Sequence, residues 1–279
     1  MSNAISISNL SFDYFVSKNI SFNALENINI NIEDRDIVAI IGQNGSGKTT
    51  LAKHINGLLR PKKRIVKIFG ENIEKKTIAE ISKNVGYIFQ NPDQQIFANS
   101  VKEEVEFGPR NLNLSEKGIS LRCKKALKIV GLSKFLDVSP FSLSKGQKQG
   151  LAVASVLAME PKILVMDEPT TGRDYLQSIQ IMEIIKKMNQ NGTTVIFITH
   201  NMQLVAKYAN RVLVMKKGKI VLDGSPRCVF KQQNILNQTY LKAPQITALS
   251  IDLWDPEIIP LSIKEFVTKF IKQKESAKT

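Results

Sequence analysis

Gly42-Gln43-Asn44-Gly45-Ser46-Gly47-Lys48-Thr49, continued by Thr50, satisfies G-x-x-x-x-G-K-[ST], the phosphate loop of nucleotide triphosphatases. Residues 37–41 before it (IVAII) form an unbroken apolar, β-branched run of the kind found in strands buried on both faces, and residues 49–58 after it read as a helix. Strand, glycine loop and helix together aim backbone N–H groups and the positive end of a helix macrodipole at one point, a ready site for phosphate. Lys48 would reach the β- and γ-phosphates as a point charge, and the Thr49 hydroxyl would ligate Mg²⁺.

With 279 residues, 43% of them apolar, the chain can bury a substantial core, and one large domain with a small appendage is expected. The longest apolar stretches, such as residues 151–159, fall far short of the ~20 residues a membrane span needs. Met1-Ser2-Asn3-Ala4 lacks the basic segment and apolar core of a secretory signal, and Cys123 and Cys228 are far apart without ligand-like spacing. Reduced thiols in a cytosolic compartment are expected. The net charge of +14 suits nucleic acid, anionic headgroups or an acidic partner equally, and in a chain rich in Lys, Ile and Asn it carries little weight.

Residues 4–10 and 24–32 alternate apolar with polar positions, as half-buried strands do, with a loop expected between them. Phe12-Asp13-Tyr14 lies at the end of the first; Tyr14 is the choice to stack on an adenine, and core packing of either ring is the alternative. Residues 64–69 and 85–89 are further strand candidates. Gln90, at the C-terminal end of the second, would face the ligand crevice of an open α/β sheet and touch Mg²⁺ or the attacking water. Residues 100–143 turn helical and basic, with a break expected at Gly108-Pro109, and Ser144 suits the N-cap of a following helix.

Residues 163–168 (ILVMDE) are an apolar strand ending in two carboxylates, a costly placement unless a metal or a reaction uses them. Asp167 can hold Mg²⁺ through water, and Glu168 can polarise or deprotonate the attacking water. A second apolar strand, 193–199, ends in His200, placed to bond the γ-phosphate; the other histidine, His54, falls by periodicity on the outer part of the phosphate-loop helix as a bystander. Residues 211–215 and 219–222 resemble a hairpin turned through Lys217-Gly218, and Asp223-Gly224-Ser225-Pro226 closes the large domain. In the tail, Ser262 and Glu265 read as a capping box, and Ile263, Phe266, Val267, Phe270 and Ile271 line one helical face that needs a partner.

Phosphate loop, glutamine loop, Leu143-Ser144-Lys145-Gly146-Gln147, acidic strand end and histidine occur in the order and spacing of ATP-binding cassette (ABC) ATPases, and the chain resembles that family over residues 4–225. The resemblance implies an α/β P-loop fold: a mixed β-sheet core, an N-terminal antiparallel β-subdomain and a helical subdomain at about 91–158, followed by a small helical extension at 226–279 that joins ATPase to ATPase. It also implies two cassettes meeting head to tail around ATP, with Ser144, Gly146 and Gln147 contacting the γ-phosphate held by the opposite cassette. Lys48 and the loop amides would serve phosphate, Thr49, Gln90 and Asp167 would serve Mg²⁺, Glu168 would be the base and His200 the γ-phosphate sensor. Asp174 would lie in the loop that links the two sites.

Residues 89–97 (FQNPDQQIF) and 101–112 (VKEEVEFGPRNL), with the C-terminal extension, resemble more narrowly the energy-coupling factor ATPases of vitamin and transition-metal importers. That resemblance implies a peripheral place on the cytoplasmic face of the membrane. The partners would be a second cassette ATPase, identical or related, a transmembrane coupling subunit docked beside the glutamine loop, and a small membrane protein that captures substrate. Phe97 would be an exposed anchor in that groove. The sequence departs from the family at Lys145, where glycine is usual; at Gly150, where many relatives have arginine; and at Arg35-Asp36, where Gly-Glu is common. A nucleic-acid ATPase is the alternative of another class, but the stretch from Lys48 to Ser144 leaves no room for long coiled-coil arms, so no nucleic-acid partner is expected. A P-loop kinase would have no use for the signature or His200.

Overall fold

The computed structural model describes residues 2–17, 20–60, 65–170, 174–254 and 259–276. The chain begins with β1 (Asn3–Ser17) and β2 (Ile20–Glu33), reaches the phosphate loop through β3 (Ile37–Gly42), and continues with α1 (Lys48–Ile55), β4 (Val66–Ile68), β5 (Glu71–Asn72), α2 (Ile78–Ser82) and β6 (Val85–Ile88). Three helices, α3 (Val101–Asn111), α4 (Glu116–Ile129) and α5 (Lys145–Leu157), then precede β7 (Ile163–Asp167). After it come α6 (Tyr175–Gln190), β8 (Thr194–Ile198), α7 (Met202–Tyr208), β9 (Arg211–Lys216) and β10 (Lys219–Gly224), and the chain ends in α8 (Pro226–Lys231), α9 (Gln233–Gln238), α10 (Gln245–Trp254) and α11 (Ile263–Ser276).

One sheet has the order β10-β9-β3-β8-β7-β6, parallel throughout except for β10, and the other is antiparallel in the order β2-β1-β4-β5. The unbroken apolar run of β3 follows from its central place. Ile37, Ala39 and Ile41 face a core shared with the helices, while Val38 and Ile40 face a second core under the antiparallel sheet and α1. Period-two alternation therefore buries both sides of the strand that delivers the phosphate loop.

The loop expected between residues 10 and 24 is mostly strand: the β1–β2 ladder runs on to pair Tyr14 with Phe22 and Ser17 with Ile20, through several register shifts. The polar, bulge-prone sequence of that stretch hides its pairing from a test for strict alternation. At residues 64–69 only β4 is strand; Arg64 lies outside the described residues, and Phe69 turns the chain at φ 47°. His54 is not on the outer part of α1 but fully buried, its Nδ1 2.8 Å from the Thr50 carbonyl and its ring edge-on to Phe12. The long β1–β2 hairpin covers the face that periodicity assigns to solvent. Arg35 takes the left-handed conformation (φ 66°) that glycine adopts freely, held by its N–H on Thr194 Oγ1 at 2.8 Å.

Pro109 does not break the chain but lies inside α3. It has no N–H for the carbonyl four residues back, Val105, and the buried Cys123 thiol of α4 donates to that oxygen at 3.5 Å. Burial also pushes the Cys123 thiol up to about 11, so it stays protonated and keeps the donor. Cys123→Ala is expected to cost about 1–3 kcal/mol in denaturant unfolding, because it leaves a buried carbonyl unpaired and opens a small void. The cost should shrink when Pro109→Ala restores the backbone donor; an additive double variant would refute the pairing.

Residues after 225 do not sit apart from the first core. Val229, Phe230, Leu236, Leu241, Ala243 and Ile259 join the same buried cluster as α3, α5 and α6. Arg227 of α8 donates to the Ile259 carbonyl and to Glu265 of α11. Ser262 caps the Glu265 N–H at 3.2 Å, but the Glu265 carboxylate turns to the Leu261 N–H and Arg227, so the box is half formed. Ile263, Val267, Phe270 and Ile271 of α11 stay exposed. Among the described residues no helix is long and apolar enough to cross a membrane.

Candidate functional site

A cleft of about 280 Å³ opens at the C-terminal ends of the parallel strands, lined by Asn44, Gly45, Gly47, Lys48, Thr49 and Thr50 of the loop and α1, with Gln90, Asp167, Glu168 and His200 from the ends of β6, β7 and β8. Tyr14, Phe22 and Ala24 of the hairpin close one side. A larger cleft of about 630 Å³ lies at the opposite ends of β7 and β8, beside Lys162 and Thr193, and holds none of the motif residues. The smaller one has the position an open α/β sheet gives its ligand.

The loop is built for close approach. Gly42 and Gly47 have φ of 155° and 101°, and a Cβ on Gly47 would meet the Ala24 carbonyl at 2.5 Å. Gly42, Gln43 and Ser46 do not line the cleft; Ser46 is buried beneath the loop, its N–H bonded to the Gln43 carbonyl at 3.2 Å and its carbonyl to the Gly218 N–H at 3.0 Å. Lys48 Nζ donates to the Gly42 and Gln43 carbonyls at 2.8 and 2.7 Å. Burial holds its pKa below the usual lysine value, while the Glu168 and Asp167 carboxylates pull the other way.

Thr49 Oγ1 donates to Asp167 Oδ2 at 2.7 Å, and Tyr87 OH reaches the same oxygen at 3.4 Å. Two hard oxygen donors side by side, with room left for water and phosphate oxygens, fit Mg²⁺ and do not make an all-protein cage. Glu168 is buried at φ 50° just before Pro169, a backbone conformation that a residue preceding proline disfavours, and its N–H bonds the Ile198 carbonyl at 3.1 Å. Its Oε1 lies 3.1 Å from His200 Nε2. Desolvation, then the charge of Lys48, lowers the His200 pKa, so the imidazole is neutral at pH 7.

Both histidines are thus held neutral by the fold, His54 by desolvation in the core. The unfolded chain binds protons on them at a higher pH than the native one, so stability is expected to fall as pH drops below ~6.5, by up to about 1.4 kcal/mol per unit for the buried His54 until its folded pKa is passed, and by much less for the half-exposed His200, whose charge water screens. Thermal melts from pH 8 to 5 check the sign, and His54→Leu should flatten the slope.

The other expected residues fall into three places. Gln90 and Tyr14 are at the cleft; Phe12 packs beneath, edge-on to both Tyr14 and His54, so of the two aromatics Tyr14 lines the cleft and Phe12 the core. Ser144 N-caps α5, which packs on α3 and α4, with a complete capping box to Gln147 and does not line the cleft, and Lys145 beside it is exposed. Gly150 faces Val130 and Leu132 at ordinary contact distance. Asp174 caps α6 through the Gln177 N–H at 2.7 Å, and residues 171–173 before it lie outside the described residues.

Three residues were not legible as site residues. Phe22 lines the cleft because it pairs with Tyr14 across the hairpin; Tyr87 supports Asp167; and Glu104, buried in α3, accepts the Phe97 and Ala98 N–H groups at 3.0 and 2.9 Å, fixing the loop after Gln90. Only the strand periodicity at Tyr87 gave a signal.

The fold and these groups define a P-loop nucleotide triphosphatase. The ABC transporter family model matches residues 25–171, and the chain belongs to that family of ATP-binding cassettes. It is 44% identical over 251 residues to the energy-coupling factor transporter ATP-binding protein EcfA2 of Clostridium tetani, covering 88% of this chain and 87% of that protein. It is 47% identical over 227 residues to an ABC transporter ATP-binding protein of Caldanaerobacter subterraneus, covering 81% of this chain but spanning only 40% of that longer protein. Among solved structures, cbiO1 of Clostridium perfringens, part of the ABC transporter complex cbiONQ, superposes with a TM-score of 0.74 at 36% identity over 90% of this chain and 99% of that one.

Proposed function

We propose that this chain is the ATP-hydrolysing subunit of an energy-coupling factor importer, working as half of a two-cassette sandwich on a transmembrane coupling subunit. The observation that carries it is a division of labour. Lys48, Thr49, Asp167, Glu168 and His200 gather at one cleft, whereas Ser144, Gly146 and Gln147 form a capped helix N-terminus outside it. A helix N-terminus with capped, aligned donors serves an anion, and the one it lacks in its own chain is the γ-phosphate of another.

In this reading Lys48 and the loop amides bind and orient the phosphates, and Thr49 and Asp167, with Gln90, hold Mg²⁺, which neutralises charge on the β- and γ-oxygens. Glu168, fixed by its strained backbone beside His200, takes the proton of the attacking water, and His200 donates to the γ-phosphate from its neutral ring. Tyr14 carries the base. The Phe97 and Phe107 rings, exposed and edge-to-face at 4.7 Å, with the Phe97 N–H tied to Glu104, form the anchor for the coupling subunit, and the open stripe of α11 meets the second cassette. The relatives named for energy-coupling factor transporters over most of their length support this choice among ABC transporters.

Affinity-tagging the chain in its native cell, solubilising membranes gently and identifying what copurifies tests the proposal. A polytopic membrane subunit together with a second cassette is the expected result, and a small membrane protein alongside would reveal the substrate. Recovery only in soluble, nucleic-acid-bearing fractions would overturn it.

A further inference from the structure

Helix α9 ends in a Schellman motif: the Tyr240 N–H bonds the Asn237 carbonyl at 3.0 Å and the Leu241 N–H bonds the Leu236 carbonyl at 3.1 Å. The motif puts the residue after the cap in the left-handed region, where glycine is usual, yet here that residue is tyrosine at φ 52°. Its neighbours Thr239 and Leu241 are buried, but Tyr240 is 80% exposed. The fold thus bears backbone strain at a residue whose aromatic ring it leaves in solvent.

The ring stands at the active site. Tyr240 and Leu241 line a hollow of about 440 Å³ with Gln43 and Asn44 of the phosphate loop and His200. The C-terminal extension therefore contributes a rim beside the nucleotide cleft, with which this hollow shares Asn44 and His200.

Two exposed side chains elsewhere match it. Tyr175 and Leu176, the first residues of α6, are 59% and 72% exposed. The start of α6 lies near the signature turn, because a Cβ on Gly146 would be 3.6 Å from Oε1 of Gln177, the residue after Leu176. Whatever surface receives Ser144 and Gly146 receives Tyr175 and Leu176 beside them.

We infer that Tyr240 docks against Tyr175 and Leu176 of a second copy of this chain when two cassettes close on ATP. The inference rests on the sandwich reading given above, which carries Ser144 and Gly146 to the phosphate loop of the opposite copy and hence the start of its α6 to the rim that Tyr240 occupies. By two-fold symmetry the contact forms twice, so closure buries two tyrosine–leucine clusters next to the two catalytic histidines. Tyrosine is the residue type that carries such interfaces at small entropic cost. The extension is thereby coupled to nucleotide-driven closure, since its ring finds a partner only when the signature has reached the γ-phosphate.

The test uses the full chain with Glu168→Gln to retain ATP and Cys228→Ser to remove the exposed native thiol. Tyr240→Cys and Leu176→Cys are added together, and a short bismaleimide is applied with and without MgATP. A covalent dimer formed only with MgATP is expected. If size exclusion shows no MgATP-dependent dimer of the Glu168→Gln chain, the two-copy sandwich fails and this contact with it. If the dimer forms but does not cross-link, or cross-links equally without nucleotide, the sandwich stands and the Tyr240 contact is overturned. Tyr240→Gly supplies a variant that cannot fail through strain: its melting temperature should hold or rise, while the MgATP-dependent dimer of the Glu168→Gln chain weakens about tenfold. Unchanged dimerisation would refute the role.

Discussion

Replacing Glu168 by glutamine is expected to lower ATP turnover by about 10²–10⁴-fold while leaving nucleotide binding intact. The substitution removes only the capacity to take a proton. Glutamine has the same length, fills the same place 3.1 Å from His200 Nε2, and leaves the backbone bond to the Ile198 carbonyl untouched. Lys48, Thr49 and Asp167 still meet the phosphates and the metal, so ATP enters and two cassettes close on it, but the attacking water has no base. A MgATP-dependent dimer should therefore accumulate on size exclusion, and phosphate release should be reduced in kcat with little change in the concentration of ATP needed to load the site. Unchanged hydrolysis would remove Glu168 from the role of base. A fall in ATP affinity without dimer accumulation would instead make it a binding residue.

The residues at the cleft were legible in proportion to how locally they are built. A strand, a glycine loop and a helix in sequence fix Lys48 and Thr49 against one another, and the strand ends at Asp167-Glu168 and His200 announce themselves because charged or titratable groups otherwise avoid the ends of buried strands. What could not be read depends on contacts between distant segments. His54 looks exposed on α1 until the β1–β2 hairpin is laid over it, and Phe22 becomes a cleft residue only through its pairing with Tyr14. Pro109 looks like a helix breaker because no rule of local sequence knows that the Cys123 thiol, on another helix, will take the carbonyl it frees. Glu104 reads as one acid among several on an acidic helix start; its burial and its two backbone partners come from the fold of the loop that follows Gln90. The break at residues 223–226 marks the start of the tail in the sequence, but not that Phe230 and Leu236 beyond it join the buried core of the elements before it. A loop marks where the chain turns and says nothing of where the next segment packs.

For Lys48→Ala the expected outcome is loss of nucleotide binding, with Kd for ATP raised by about 100-fold or more. The side chain is buried under the loop and already bonded to two carbonyls, so its charge is positioned before any phosphate arrives. Charge-assisted hydrogen bonds contribute about 1.5–3 kcal/mol each, and the loss of contacts to the β- and γ-phosphates together reaches the stated factor even at the low end. The loop itself loosens as well, since the Gly42 and Gln43 carbonyls lose their donor, and a loop that must be ordered by the ligand binds it more weakly. Calorimetry with MgATP reads the affinity, and thermal denaturation separates the two contributions. Without nucleotide the variant should melt somewhat below the parent, by what the two lost loop bonds contribute, whereas the stabilisation of about 2.7 kcal/mol that the parent gains at 100 times its Kd should vanish altogether. Normal affinity would count against the phosphate-loop assignment. A normal melt combined with lost binding would place the effect of Lys48 in the charge it presents to phosphate, because a cation held only for the sake of the loop would have taken its stability with it.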